Sequence, residues 1–182
     1  NVINGKAWLD SNLNGAKDNE EQELKDIKVR LYNVATNDYQ KDDNGAIIET
    51  STNENGEYAF TKIANGQYIV LFEYDTNEYE PTYYKKDGVD DSINSKVILK
   101  DITISGETKT YAVTDTIDLQ DSVSNINIGL KEKLVFDLQL DKYISKISIQ
   151  NAKGTKSYDY KDSTFAKVEI HRKQVAGSVV VL

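Results

Sequence analysis

Apolar and polar residues alternate in short runs along most of the chain. Ile27, Val29 and Leu31 are spaced by polar residues, as are Ile126, Ile128 and Leu130. A period of two marks a half-buried strand, because successive side chains leave a strand on opposite faces. Runs of this β-rich kind predict strands at Val2–Trp8, Ile27–Tyr32, Ile47–Thr52, Tyr58–Phe60, Gln67–Tyr74, Lys96–Ile104, Lys109–Thr114 and Asn125–Leu130. Asn-Gly pairs recur at Asn4, Asn14, Asn44, Asn55 and Asn65, and such pairs accept the positive φ of a tight turn. No long stretch holds helical spacing; Asn19–Lys25 could make at most a turn or two. Many short strands broken by frequent turns predict an all-β sandwich.

At Leu130-Lys131-Glu132-Lys133 the last of these strands runs into three charged residues, which places a boundary there. Residues 1–130 are the first predicted domain, 131–133 a linker and 134–182 the start of a second. In the last segment Phe136, Leu138 and Leu140 alternate with polar residues. Ile147 and Ile149, then Ala166, Val168 and Ile170, continue the pattern, and Val179–Val181 follows. Four strands in about fifty residues make a marginal core. Residues 134–182 are therefore expected to be an incomplete β domain, cut short, whose apolar edge packs on the first domain or self-associates with another molecule.

Composition narrows the function classes. Thirty acidic against twenty-two basic residues give a formal charge of -8, which disfavours nucleic acid, since phosphates need a basic face. There is no cysteine, hence no disulfide and no thiol chemistry. The single histidine, His171, lies on the alternating run Val168–Arg172. Nucleophile–base pairs have almost nothing to draw on, and the expectation is a protein that is not an enzyme. No apolar run approaches the roughly 20 residues of a membrane-crossing helix. The chain opens on a strand-like run rather than a signal peptide, and the lack of methionine suggests a portion of a longer protein.

One stretch carries chemistry. In Asp10–Glu21, the residues Asp10, Asn12, Asn14, Asp18 and Glu21 stand at the oxygen-ligand positions of a twelve-residue calcium loop. Ala16 falls where only a backbone carbonyl is needed, and Gly15 at the sharp turn. Three carboxylates this close repel one another, and a divalent ion removes that cost. The same residues could also form a plain polar loop of Asn and Asp turns. A strand rather than a helix precedes the loop, Lys17 occupies a position usually apolar in paired loops, and no second copy exists. A regulatory EF-hand pair or a dockerin-type repeat is disfavoured, and the site reads as structural.

These residues also carry a resemblance. Gly5-Lys6-Ala7-Trp8-Leu9-Asp10-Ser11-Asn12, followed by Asn14-Gly15 and Asp18–Glu21, resembles the opening of the B-like repeats of serine-aspartate-repeat surface adhesins, the SdrD B-like domains. Those repeats are related to the collagen-adhesin B (Cna-B) type. Asn53-Glu54-Asn55-Gly56-Glu57-Tyr58-Ala59-Phe60, Ala64–Tyr68 and Asp90-Asp91-Ser92-Ile93-Asn94-Ser95 match in order, so the resemblance covers about residues 1–130. It implies a transthyretin- or Ig-like β-sandwich that binds several Ca2+ ions and acts as a spacer in a Gram-positive cell-wall protein. Asn53, Asn94 and Ser95 stand where the family commonly has acids, which weakens any second site. Asp90, Asp91 and Asn94 are the candidate ligands of that second metal, with a plain acidic loop as the alternative.

Phe136–Ile144 resembles the opening of β domains in clostridial and related surface proteins, some of which form Lys–Asn isopeptide crosslinks. That resemblance would make Lys142 a crosslinking lysine in the complete domain and Asp137 or Asp141 its acid. No such bond is expected within these residues. Trp8 reads as core beside the clamp, and Tyr79, Tyr83 and Tyr84 around Pro81 as either a binding patch or wall packing. The resulting expectation is a calcium-stabilised stalk module, extracellular and wall-associated, with neighbouring domains of the same protein as partners. The alternatives are a module binding host matrix or glycan, and an accessory β domain of a secreted carbohydrate-active enzyme.

Overall fold

The alternating runs become strands: β1 (Ile3–Leu9), β2 (Lys28–Asn33), β3 (Asp38–Tyr39), β4 (Glu49–Ser51), β5 (Glu57–Phe60), β6 (Gly66–Glu73), β7 (Tyr79–Pro81), β8 (Val97–Ile104), β9 (Glu107–Thr114), β10 (Ile117–Leu119) and β11 (Ile128–Glu132). The structure, a computed structural model, describes residues 1–133 together with the backbone of residues 146–151, 154–159 and 179–181. The chain divides into two units, Asn1–Leu134 and Val135–Leu182.

The first unit is a β-sandwich. One sheet has the order β5-β1-β11-β7; the other runs β3-β2-β6-β9-β8, with β4 also on β2 and β10 on β6. Ile3 and Ala7 of β1, Tyr58 and Phe60 of β5, and Ile128 and Leu130 of β11 meet Val29, Leu31, Val70, Phe72, Val97 and Ala112 of the facing sheet in one core. Full burial of each large aliphatic side chain contributes about 1.5–3 kcal/mol, so this interface is what holds the sheets together. β6 is buried on both faces: Ile69 and Leu71 pack outward with Tyr32, Ile102, Ile104 and Val113 in a second cluster.

β1 and β11 pair in parallel, Ala7 with Ile128 and Leu9 with Leu130. The unit's first strand therefore lies beside its last and runs in the same direction. Trp8 lies outside the main cluster yet is fully buried. Its indole lies over Gly129, where a Cβ would approach it to 2.8 Å. The expectation that Trp8 is core beside the loop matches this placement.

Two expectations are corrected. Asn4-Gly5 is not a turn but lies inside β1. Glycine is needed there because a Cβ would sit 2.0 Å from the Ile126 carbonyl oxygen. Lys131–Lys133 is not a linker: Lys131 pairs with Glu80 and Glu132 with Tyr79, while the Lys133 N–H donates to the Glu78 carbonyl at 2.7 Å. Charged residues suit a strand whose outer face meets water, so charge alone does not end one. β3, β7 and β10, at two or three residues each, are too short to show a period and were not foreseen.

In the second unit, β12 (Lys146–Asn151), β13 (Gly154–Asp159) and β14 (Val179–Val181) form an antiparallel sheet in the order β13-β12-β14. Among the described residues β14 is thus at an edge. Lys142, Asp137, Asp141 and His171 lie outside the described residues.

Candidate metal centre

β1 ends where Asp10 donates its N–H to the Leu130 carbonyl at 2.7 Å. The chain then circles through Glu21 and returns alongside β1, with Leu9 N–H on Gln22 O at 2.9 Å and Leu24 N–H on Ala7 O at 3.0 Å. Residues 10–21 are therefore a closed loop on a two-stranded stem. Within it, backbone N–H groups turn inward onto side-chain oxygens. Asp10 is fully buried; it accepts from Asn14 N–H at 3.1 Å and Gly15 N–H at 2.8 Å, and from the Thr82 hydroxyl. The Asn12 amide oxygen accepts from Asn14 N–H at 3.0 Å, and the Asn14 amide oxygen from Ala16 N–H at 2.7 Å. Glu21, also buried, ties the two halves together by accepting from Ser11 N–H at 2.9 Å and Asp18 N–H at 3.1 Å. Gly15 has φ +80°, a left-handed conformation that side chains resist.

The loop brings together all six predicted residues. Asn14 stands between two of the carboxylates, donating its N–H to Asp10 and its amide to Asp18 at 2.6 Å. Asn12 also donates to Asp18, at 2.7 Å. These hydrogen bonds, Asn12 first and then Asn14, hold the Asp18 carboxyl below its ordinary 3.8. No lysine or arginine of the described residues pairs with Asp10, Asp18 or Glu21 within 4.0 Å. Lys17, the nearest in sequence, spends its ammonium on the Asp18 carbonyl at 2.7 Å, the Glu21 carbonyl at 3.1 Å and Glu23 at 3.2 Å.

The donor set fits a hard divalent cation. Three carboxylates, two of them buried, have no ion-pair partner within 4.0 Å among the described residues, and calcium takes six to eight oxygens. The amide oxygens of Asn12 and Asn14 each have two lone pairs, so each can accept an N–H and still face an ion. As they stand, no three acidic or histidine side chains among the described residues are gathered closely enough to hold one. Asn amides occupy the space beside Asp18 that an ion would take.

A distant segment fastens the loop. Ala16 bridges Asn94, Lys17 N–H donates to Ile93 O at 2.8 Å, and Lys86 Nζ donates to Asn14 O at 2.7 Å. A Cβ on Gly15 would press on Lys86 and Tyr83. Sequence reading missed Thr82, Tyr83 and Lys86 as members of this site, because nothing local marks residues about seventy positions away as its lid.

Asp90, Asp91 and Asn94 are not brought to one point. Asn94 is buried and spends its amide on the backbone of Lys86 and Val89. Asp91 is exposed and pairs with Lys96 at 2.7 Å. Asp90 accepts from the Ser92 hydroxyl and N–H, which holds its carboxyl low. Of the tyrosines near Pro81, Tyr79 packs on the core, whereas Tyr83 is 56% exposed beneath the Lys86 ammonium.

A two-sheet sandwich whose first strand ends in a closed acidic loop defines a β module rather than a catalytic cleft. Residues 2–129 match the SdrD B-like domain family, and the chain belongs to that family. Membership makes the first unit a non-enzymatic domain. Serine-aspartate repeat-containing protein D of Staphylococcus aureus (strain Newman) is 40% identical over 67 residues, covering 36% of this chain and 4% of that protein. Serine-aspartate repeat-containing protein E of the same species is 40% identical over 67 residues, 36% of this chain and 5% of its own length. The match thus spans only a small part of these relatives. Among solved structures, the shaft pilin spaA of Lactobacillus rhamnosus GG is similar at 13% identity and TM-score 0.35, over 84% of this chain and 61% of its own. The pilus adhesin (RrgA) of Streptococcus pneumoniae is similar at 16% identity and TM-score 0.35, over 75% and 15%. Scores this low add nothing to the assignment.

Proposed function

We propose that residues 1–133 are a calcium-stabilised spacer module of a bacterial surface protein, extracellular and wall-associated, joined in series to further domains of the same chain. The observation that carries this reading is the closed loop 10–21, in which one hydrogen-bond network links Asp10, Asp18 and Glu21. Asp10, Asn12, Asn14, Asp18 and Glu21 would hold the ion with the Ala16 carbonyl. Bound calcium would neutralise the carboxylates and tie the end of β1 to the stem of the loop. With no cysteine in the chain, such an ion would do the stapling that disulfides do elsewhere. The parallel pairing of β1 with β11 suits a spacer, because the module's first strand begins at one end of the sheet and its last strand leaves from the other.

Thermal unfolding in calcium and in chelator tests this. Free calcium at a hundredfold its dissociation constant should raise stability by about 2.7 kcal/mol, and Glu21→Ala should remove most of that shift. Superimposable melting curves in the two buffers would sink the calcium reading.

A further inference from the structure

The chain has five chemically equivalent Asn-Gly pairs, at Asn4, Asn14, Asn44, Asn55 and Asn65, and the fold treats them very differently. Asparagine before glycine is the most prone of all pairs to self-modify. The glycine amide nitrogen, losing its proton, attacks the asparagine Cγ and expels ammonia to leave a five-membered succinimide. Water then opens the ring to aspartate or isoaspartate. The reaction needs a mobile side chain and a glycine nitrogen that can swing onto it.

Four pairs are held. Gly5 is buried inside β1 with the Ile126 carbonyl against it. Asn14 has both ends of its amide engaged, with Ala16 and Asp18, and the Gly15 N–H lies on the buried Asp10 carboxylate. The Asn55 side chain is exposed and has no hydrogen bond among the described residues, so this pair is held through its glycine alone: Gly56 is buried against the Ala7 carbonyl, and its N–H is bonded to Asn53 O. Asn65 is bonded at its oxygen by Asn1 and at its nitrogen to Gln120, and Gly66 begins β6 in register with Leu119.

Asn44-Gly45 is the exception. Residues 41–47 are all exposed, nothing lies within 4 Å of the Cβ position of Gly45, and no hydrogen bond of the described residues engages the Asn44 side chain. The turn rests on backbone bonds from Asp42 N–H to Ala46 O and from Gly45 N–H to Asp42 O, with Asp42 accepting from Asn44 and Ala46. Residues 41–47 are already exposed, so the turn can open locally while the core stays intact. We propose that Asn44 is the self-modification site of the folded module, turning Lys41–Ala46 more acidic with age while the candidate metal loop keeps Asn14 unmodified.

The test is to incubate the full chain at mildly alkaline pH, with and without denaturant, and to map peptides that have become about 1 Da heavier by exchange of an amide for an acid. In denaturant all five sites should react at similar rates. In the folded chain Asn44 should react about tenfold or more faster than each of the other four, and Asn44→Gln should remove the early product. The proposal is overturned if any of the other four matches or outruns Asn44 in the folded chain. It is equally overturned if folding slows Asn44 as much as the rest. Neither outcome depends on whether calcium binds.

Discussion

Two stretches of this domain are written in the same letters and folded to opposite effect. Asp10–Glu21 and Asp90–Asn94 both combine aspartate, asparagine and serine. In the first, the backbone circles so that its own N–H groups and side-chain amides link Asp10, Asp18 and Glu21 in one hydrogen-bond network. In the second, Asp90 serves Ser92, Asp91 reaches out to Lys96, and Asn94 turns inward to satisfy backbone groups. The difference teaches that an acidic cluster becomes a site through the backbone path that orients it, since each oxygen must be aimed before an ion can gain from it. The two stretches also touch, through the Ala16–Asn94 bridge and the Lys17–Ile93 hydrogen bond. We read the second as a brace for the first.

The contrast can be broken most forcefully at Asp10. Asp10→Ala removes an acceptor shared by two N–H groups and the Thr82 hydroxyl in a fully buried position. The expected loss is on the order of 3 kcal/mol or more, because each buried donor left without a partner costs about 1–3 kcal/mol. Chemical denaturation in chelator should read this even without an ion; a loss under about 1 kcal/mol would mean that the loop is not a structural unit.

A smaller effect is expected at Lys17, whose ammonium is mostly buried among two carbonyls and Glu23. Lys17→Met keeps the packing and removes the charge-assisted bonds, for an expected cost of about 1–2 kcal/mol. If that ammonium closes the loop when no ion is present, the cost should be larger in chelator than in calcium. Equal costs in both would show that Lys17 merely packs.

Smaller still is the double change Asp90→Ala with Asp91→Ala, which should shift stability by no more than about 0.5 kcal/mol. The calcium-induced shift in melting should also be unchanged. A halved calcium response would restore Asp90 and Asp91 as ligands.

The gentlest probe is the Asp18 carboxyl, which hydrogen bonds from Asn12 and Asn14 hold below 3.8. A carboxyl depressed on folding stabilises the native state above its ordinary range, and that contribution is lost as pH falls through the lower, folded value. NMR titration should therefore find Asp18 ionised below its ordinary range, and Asn14→Ala should move it back up. An unchanged titration in Asn14→Ala would remove Asn14 from the account of that carboxyl.

Strand content, class and the acidic loop were legible in the residues themselves. Alternation is local: Ile27, Val29 and Leu31 announce a half-buried strand wherever it ends up, and Asp10 to Glu21 carry their spacing with them. Other features were not local. Asn4-Gly5 reads as a turn until Ile126 is placed against it, and Lys131–Lys133 reads as a linker until β7 supplies partners for it. β3, β7 and β10 exist only because a neighbouring strand accepts their few hydrogen bonds. Within the candidate loop, the sequence by itself determined which oxygens share one hydrogen-bonded ring, since their order and the turn at Gly15 are set within twelve consecutive residues. Only the tertiary structure decided that Thr82 would reach Asp10, that Lys86 and Tyr83 would cover Gly15, and that Asn94 would brace the loop. Those contacts join residues some seventy positions apart. They depend on β1 and the β7 end both pairing with β11, which no local pattern specifies.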